Sequence, residues 1–471
     1  MSQNYVRNLL SITRIWMLNR AINFELFLSI SILFLGVSFY LVWVFVGYAR
    51  IYFTDFVSFR ADDGWCSVPG ESIFTHCFGD YAVLSYYLKE DRIPWLVGDP
   101  MSSFYPASSW IPAKIFHEIG LYFENYNLGR NLFLIALSVS LLFPAINAMK
   151  GKGVLAKFAL FSVIGISSTP FLITLDRGNS IGLSIAPLTL AILALTKNRP
   201  EIFSPLVILA ALIKPQLALF FLLLLAVAKY RLFFISIFLY MFFFFASFTF
   251  FPGVASSNIR NWFLTIVKYS SYQELTDLYP INLSLDRTLL TVLQVANFDS
   301  EQISQNMIST LGILGNLLML LIILLLIYRR DSKANVVSIS MLITILIITI
   351  SGISYAYYLI ILLVPISFIL KDLPNDSRSS RAEIPNQISR FSKRETLLAS
   401  FDKLVLLLTS LILAPLYFPI KFFPNLQESL VLSDSSVNVF QVFWGPVLSL
   451  IFILVAIGSV FNYDYSSIKK V

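Results

Sequence analysis

The sequence predicts an all-α, polytopic membrane protein, and three observations carry that reading. Of 471 residues, 57% are hydrophobic, 15% aromatic and only 13% charged. The mean hydropathy is +0.77. The apolar residues also gather into about 12 transmembrane or half-membrane segments, at 26–48, 131–148, 155–175, 180–196, 202–213, 216–228, 232–252, 308–328, 334–352, 355–370, 401–424 and 440–462.

The first segment is long and lacks a small-residue cleavage site, so no cleavable signal peptide is expected. Residues 49–130 then form an external loop, which holds both cysteines, Cys66 and Cys77. An oxidising compartment permits a disulfide between them; two unpaired thiols are the alternative. With His76 they lack zinc-ligand spacing, and no metal is expected. Within this loop Ile115, Phe116, Ile119, Tyr122 and Phe123 recur at helical spacing, as do Ile259, Trp262, Phe263, Ile266 and Val267 in a second external loop, 253–307. Such helices either lie in the membrane interface or pack on one another as a cap, and both arrangements roof a site at the outer surface.

Lys214 and Pro215 interrupt a nearly unbroken apolar run from Ile202 to Val227. The pieces on either side are each about 12 residues, too short at 1.5 Å per residue to cross a core of about 30 Å. Proline lacks an N–H and disfavours helical backbone at the residue before it. The pattern therefore reads as two half-helices in a hairpin with Lys214 at its tip. A lysine near mid-membrane costs roughly 2.5–3.5 kcal/mol on insertion scales, which marks a functional site and calls for an anionic partner. One long kinked helix with a snorkelling lysine is the competing reading.

Alternating the segments places Arg7, Arg14, Arg20, Lys150, Lys152, Lys157, Lys197, Arg199, Lys229, Arg231, Arg329, Arg330 and Lys333 on one side. The positive-inside rule makes that side cytoplasmic, with both termini there. Topology thus accounts for the net charge of +7 without nucleic acid. Residues 372–400 form a polar, Ser-rich and basic cytoplasmic linker suited to anionic headgroups. It separates a core of residues 1–371 from a C-terminal helix pair, 401–471.

Three sets of charge converge on the external side: the loop carboxylates Asp62, Asp63 and Asp80; Asp176-Arg177-Gly178-Asn179 at the turn between the third and fourth segments; and Lys214. Arginine and lysine together suit a phosphate, one as a fork and the other as a point charge. A carboxylate opposite them could take a proton from an incoming hydroxyl. For Arg177 the alternative is an internal pair with Asp176 or a loop acid. Asp62 and Asp63 alone are a poor divalent-cation site.

Asp176-Arg177-Gly178-Asn179, followed by a span, a basic turn and Ala211-Leu212-Ile213-Lys214-Pro215, resembles the membrane glycosyltransferases of the GT-C superfamily, and glycosyltransferase family 87 within it. Gly79-Asp80-Tyr81 with Tyr86-Tyr87 and Phe104-Tyr105-Pro106 is similar to that family's first external loop. Ile281-Asn282-Leu283-Ser284-Leu285 is similar to its Asn-x-Ser-Leu segment. Ser351 to Tyr358, with Pro365, is similar to its later helix start, except that Tyr357 stands where members often have histidine and Tyr355 replaces tryptophan. The resemblance implies a GT-C-like catalytic core at the outer face of the cytoplasmic membrane. Asp80 would be the base, Arg177 and Lys214 would bind the phosphate of a polyprenyl-phosphate sugar, and Tyr81, Asn179, Tyr357 and Tyr358 are candidate donor or acceptor contacts. It implies mannose or arabinofuranose as the sugar, a lipid or glycan acceptor and no cofactor. A transporter or flippase lined by Lys214 and Arg177 is the rival from another class, although no repeat pair accompanies the broken segment. A ligase or polymerase of the same superfamily acting on lipid diphosphates is a third reading.

Overall fold

The computed structural model describes residues 27–33, 36, 80, 81, 88, 94, 95, 103, 105–270, 282–296, 305–328, 334–350, 356–372, 404–413 and 443–468. Cys66, Cys77, Asp62, Asp63, His76 and nearly all of the 372–400 linker lie outside them. Every regular element among the described residues is helical. The helices that frame the site are α1 (Ala107–Tyr122), α2 (Tyr126–Leu141), α3 (Thr169–Arg177), α4 (Pro200–Ile213), α5 (Tyr230–Ala246), α6 (Leu285–Val295), α7 (Gln305–Tyr328), α8 (Ala334–Ile350), α9 (Leu363–Asp372) and α10 (Trp444–Ile468).

Among the described residues three helices are individually long and apolar enough to cross a bilayer: Tyr126–Ala148, Tyr230–Phe250 and Met307–Tyr328. Val154–Ile166 and Thr169–Leu175 reach that length and apolarity only together, as a broken span or a re-entrant loop bent by 45°. That bend has an identifiable cause. A π-helical turn, Phe161–Ile166, ends beside Gly165 with non-helical backbone (φ −88°, ψ −113°), and Pro170 opens the next helix. Ser180–Thr196, Pro200–Ile213, Pro215–Ala226, Val336–Ile350, Tyr357–Lys371, Leu404–Leu413 and Trp444–Val460 are shorter apolar helices. The helices bear out an all-α membrane fold.

The core lies among these shorter helices. From Ile339 to Ile348 nearly every side chain of α8 is wholly buried, so this helix is apolar all round because it is covered all round. It packs against α7, α9 and α10. Several buried polar groups bond across helices. Thr349 Oγ1 donates to Asn316 Oδ1 (3.0 Å), Asn147 Nδ2 to Ser367 Oγ (3.1 Å) and Ser236 Oγ to Ser204 Oγ (2.8 Å). In a membrane such cross-helix bonds contribute roughly 0.6–2 kcal/mol each. The carboxyl-terminal helix α10 joins this core as well, with Gly445 lying so close to Thr288 of α6 that no side chain would fit between them.

Helix α1 packs through small residues. Ser109, Ala113, His117 and Gly120 are buried, and Gly120 meets Gly129 of α2 at a backbone-to-backbone crossing. The apolar stripe foreseen here faces away from the protein: Ile115, Tyr122 and Phe123 are exposed, and Phe116 and Ile119 half-buried. Small residues make the helix contact and large apolar ones face outward, the arrangement characteristic of membrane helices. The second stripe divides. Trp262 packs on Phe244 and Phe248, while Phe263 and Val267 are exposed.

Candidate functional site

The backbone of Asp176-Arg177-Gly178-Asn179 is a helix stop. Gly178 adopts left-handed backbone (φ 60°, ψ 33°), its N–H donates to Leu175 O (3.0 Å), and the Asn179 N–H donates to Thr174 O (3.2 Å). This pair of bonds is the Schellman pattern, which a glycine fits without strain. Arg177 is thereby held in the last turn of α3, where a cation complements the helix dipole. Asn179 becomes the cap of the next turn, its Oδ1 accepting from Ile181 N–H (3.0 Å). Gly178→Ala should cost about 1–2 kcal/mol, the price of a left-handed alanine, and should turn Arg177 and Asn179 out of register. A thermal melt in detergent checks the first effect, and a melting temperature equal to wild type would contradict it.

These two side chains converge on Asp80. Arg177 Nη2 lies 3.1 Å from Asp80 Oδ1, and Asn179 Nδ2 donates to Asp80 Oδ2 at 2.6 Å. Because Asn179 Oδ1 already accepts from Ile181, both amide hydrogens are available to donate, and the second goes to the Tyr105 hydroxyl (3.3 Å). Tyr105 in turn shares a hydrogen bond with the Tyr357 hydroxyl (3.1 Å). Arg177 thus makes the pair with a loop acid that the sequence left open, and the acid is Asp80. Burial pushes the Asp80 carboxyl up to about 6, against the opposing pull of the Asn179 amide and the Lys214 ammonium.

Lys214 sits at the break between α4 and a 3-10 turn, Pro215–Phe221. Its backbone is extended (φ −138°, ψ 106°), as a residue before proline prefers, and the turn that follows packs against α4. The side chain does not snorkel. It is 1% exposed, with Nζ 3.8 Å from the centre of the Tyr105 ring and 5.6 and 5.5 Å from those of Tyr357 and Tyr358. Three aromatic faces hold the ammonium, while its N–H groups have no hydrogen-bond acceptor among the described residues. An ammonium so placed is ready for an anion.

Asp80, Arg177, Asn179, Lys214, Tyr357 and Tyr358 therefore meet in one place. Tyr81 turns its ring into the core against Phe133, with centroids 4.7 Å apart. Tyr105 is the principal site residue whose role the sequence left unassigned. Its carbonyl accepts from two indoles, Trp95 Nε1 (2.8 Å) and Trp110 Nε1 (3.3 Å), and its N–H donates to Ser103 Oγ (3.0 Å). The signal available in sequence was the cluster of aromatic and proline residues around 94–112, too common a composition at a membrane surface to single out one tyrosine. Among the described residues no group of three or more His, Cys, Asp or Glu could hold a metal ion.

The model of glycosyltransferase family 87 matches residues 126–351, just under half of the chain, so this stretch is similar to those membrane glycosyltransferases. Arg177, Asn179 and Lys214 fall inside the matched stretch, and Asp80, Tyr105, Tyr357 and Tyr358 outside it; the fold unites the two sets. No curated protein and no solved structure matches the chain.

Proposed function

We propose that this protein transfers a sugar, mannose or arabinofuranose, from a polyprenyl-phosphate carrier to a glycolipid or glycan hydroxyl at the outer face of the cytoplasmic membrane, with inversion at the anomeric carbon. The observation that carries this reading is one partly buried carboxylate, Asp80, beside two cations, Arg177 and Lys214, at the break of a membrane helix. In the reaction the acceptor oxygen attacks the anomeric carbon and gives its proton to Asp80, while the bond from that carbon to the phosphate oxygen breaks. Polyprenyl phosphate leaves with the bonding electrons. It needs no protonation, so a single base suffices.

Arg177 and Lys214 hold the phosphate before and after the bond breaks, so their contribution is positioning as much as charge stabilisation. A phosphate at Arg177 shares that guanidinium with Asp80. Loosening the pair raises the affinity of Asp80 for a proton at the moment the acceptor hydroxyl must lose one. Residues 1–371 would carry this chemistry, with the 372–400 linker and the last helix pair as additions.

The test is incubation of purified protein in nanodiscs with short-chain polyprenyl-phosphate sugars and candidate acceptors, following release of polyprenyl phosphate and the product's anomeric configuration. Inverted product supports the reading, whereas retained configuration contradicts it. The pH profile offers a second check. A base is active when deprotonated, so kcat/KM should fall as pH drops through about 6, the value to which burial raises Asp80. The same limb in kcat should lie at higher pH, because the bound phosphate adds negative charge and competes for Arg177. A profile flat from pH 5 to 8 would exclude Asp80 as the titrating base.

A further inference from the structure

The base and the phosphate-binding lysine come from segments 134 residues apart in sequence, yet one side chain touches the partners of both. The Tyr105 hydroxyl accepts the second N–H of the Asn179 amide whose first N–H holds Asp80 Oδ2. The face of the same ring lies 3.8 Å from Lys214 Nζ, the nearest of the three rings around it. Its backbone is clamped by two indole N–H groups on one carbonyl, and Trp95, itself fully buried, packs on Phe248 and Phe251. A residue held this firmly on the main chain can fix what its side chain touches.

We propose that Tyr105 is a positioning residue that sets the Asp80 carboxylate, through Asn179, against the Lys214 ammonium, through its ring face, and so fixes the distance between proton acceptor and phosphate binder. The inference rests on the donor chemistry proposed above. It assigns the two ends of one side chain separate tasks. The hydroxyl keeps the Asn179 amide doubly engaged and hence the carboxylate oriented. The ring face fixes the position of the Lys214 ammonium, 3.8 Å from the ring centre. Asn179 donates to both Asp80 and Tyr105 and accepts from neither, so no proton can pass along this chain. Tyr105 is a scaffold here and not a relay.

Two variants separate the tasks. Tyr105→Phe keeps the ring and removes the hydroxyl; it should lower kcat about tenfold, as expected for a lost hydrogen bond that leaves polar partners buried, with the donor KM within about twofold of wild type. Tyr105→Leu removes both and should in addition raise the donor KM about tenfold, the scale of a desolvated cation–π contact. A purely structural tyrosine would not produce that split. Wild-type kcat in Tyr105→Phe overturns the hydroxyl's role, and equal donor KM in the two variants overturns the ring's.

Melting in detergent without any donor tests the contacts themselves. Tyr105→Leu with Lys214→Met, and Tyr105→Phe with Asn179→Ala, should each shift the melting temperature non-additively. Additive shifts overturn the inference. If the wild type turns over no polyprenyl-phosphate sugar, the proposed donor falls, while the two melting cycles still decide whether Tyr105 joins the halves of the site.

Discussion

Lys214→Met should weaken binding of a short-chain polyprenyl phosphate by about 100-fold, since removing one partner of a buried, hydrogen-bonded charge pair costs roughly 2–5 kcal/mol. The same variant should melt at or above the wild-type temperature. The reason lies in two opposing magnitudes. Burying an ammonium costs several kcal/mol when nothing accepts its hydrogens, and Lys214 Nζ has no acceptor among the described residues. Against this stands a cation–π contribution of about 2 kcal/mol from the tyrosine faces. Methionine has similar length, and its sulfur packs well against the rings of Tyr105, Tyr357 and Tyr358. Loss of affinity together with retained or increased stability marks a residue kept for its ligand. Isothermal calorimetry and a melting curve on one preparation read both effects. Unchanged affinity would remove Lys214 from the phosphate site.

Asp80→Asn should reduce transfer by about 100-fold to 10,000-fold, the range for loss of a general base. Donor affinity should stay level or rise. Arg177 lies 3.1 Å from the Asp80 carboxylate in wild type; a donor phosphate at the proposed site would, in the variant, meet a guanidinium with no carboxylate beside it. The asparagine can accept through only one atom, so either Arg177 or Asn179 loses its acceptor, and some loss of stability should accompany the change. Activity measured on protein that is shown to be folded separates that cost from the chemistry. A turnover within tenfold of wild type would be too high for a lost base.

Much of this site could be read from sequence because its elements break local rules. Lys214-Pro215 stands out in an apolar run, and the break falls where proline disfavours helix at the residue before it. Asp176-Arg177-Gly178-Asn179 ends a helix through ordinary capping chemistry, so Arg177 and Asn179 were placed by a single glycine. The family match reinforces this, since both motifs lie within residues 126–351.

The partners of these residues were less legible. Which acid meets Arg177 depends on how loop one folds back over α3, and ten acidic residues in that loop gave equal local claims. Tyr105 was visible only as part of a short motif; its place between Asn179 and Lys214 comes from long-range packing of Trp95 and Trp110. The outward stripe on α1 shows why hydropathy alone misleads beside a membrane. Periodicity locates the apolar face, yet the face that packs on protein is the one with Ser109, Ala113 and Gly120.

The most direct test of the account is a parallel single-turnover assay of wild type and Asp80→Asn with a panel of short-chain polyprenyl-phosphate sugars, measuring donor binding and polyprenyl phosphate release on the same samples. The account predicts release by the wild type, and intact binding without release by the variant. Equal release from both proteins, or binding by neither, would contradict it.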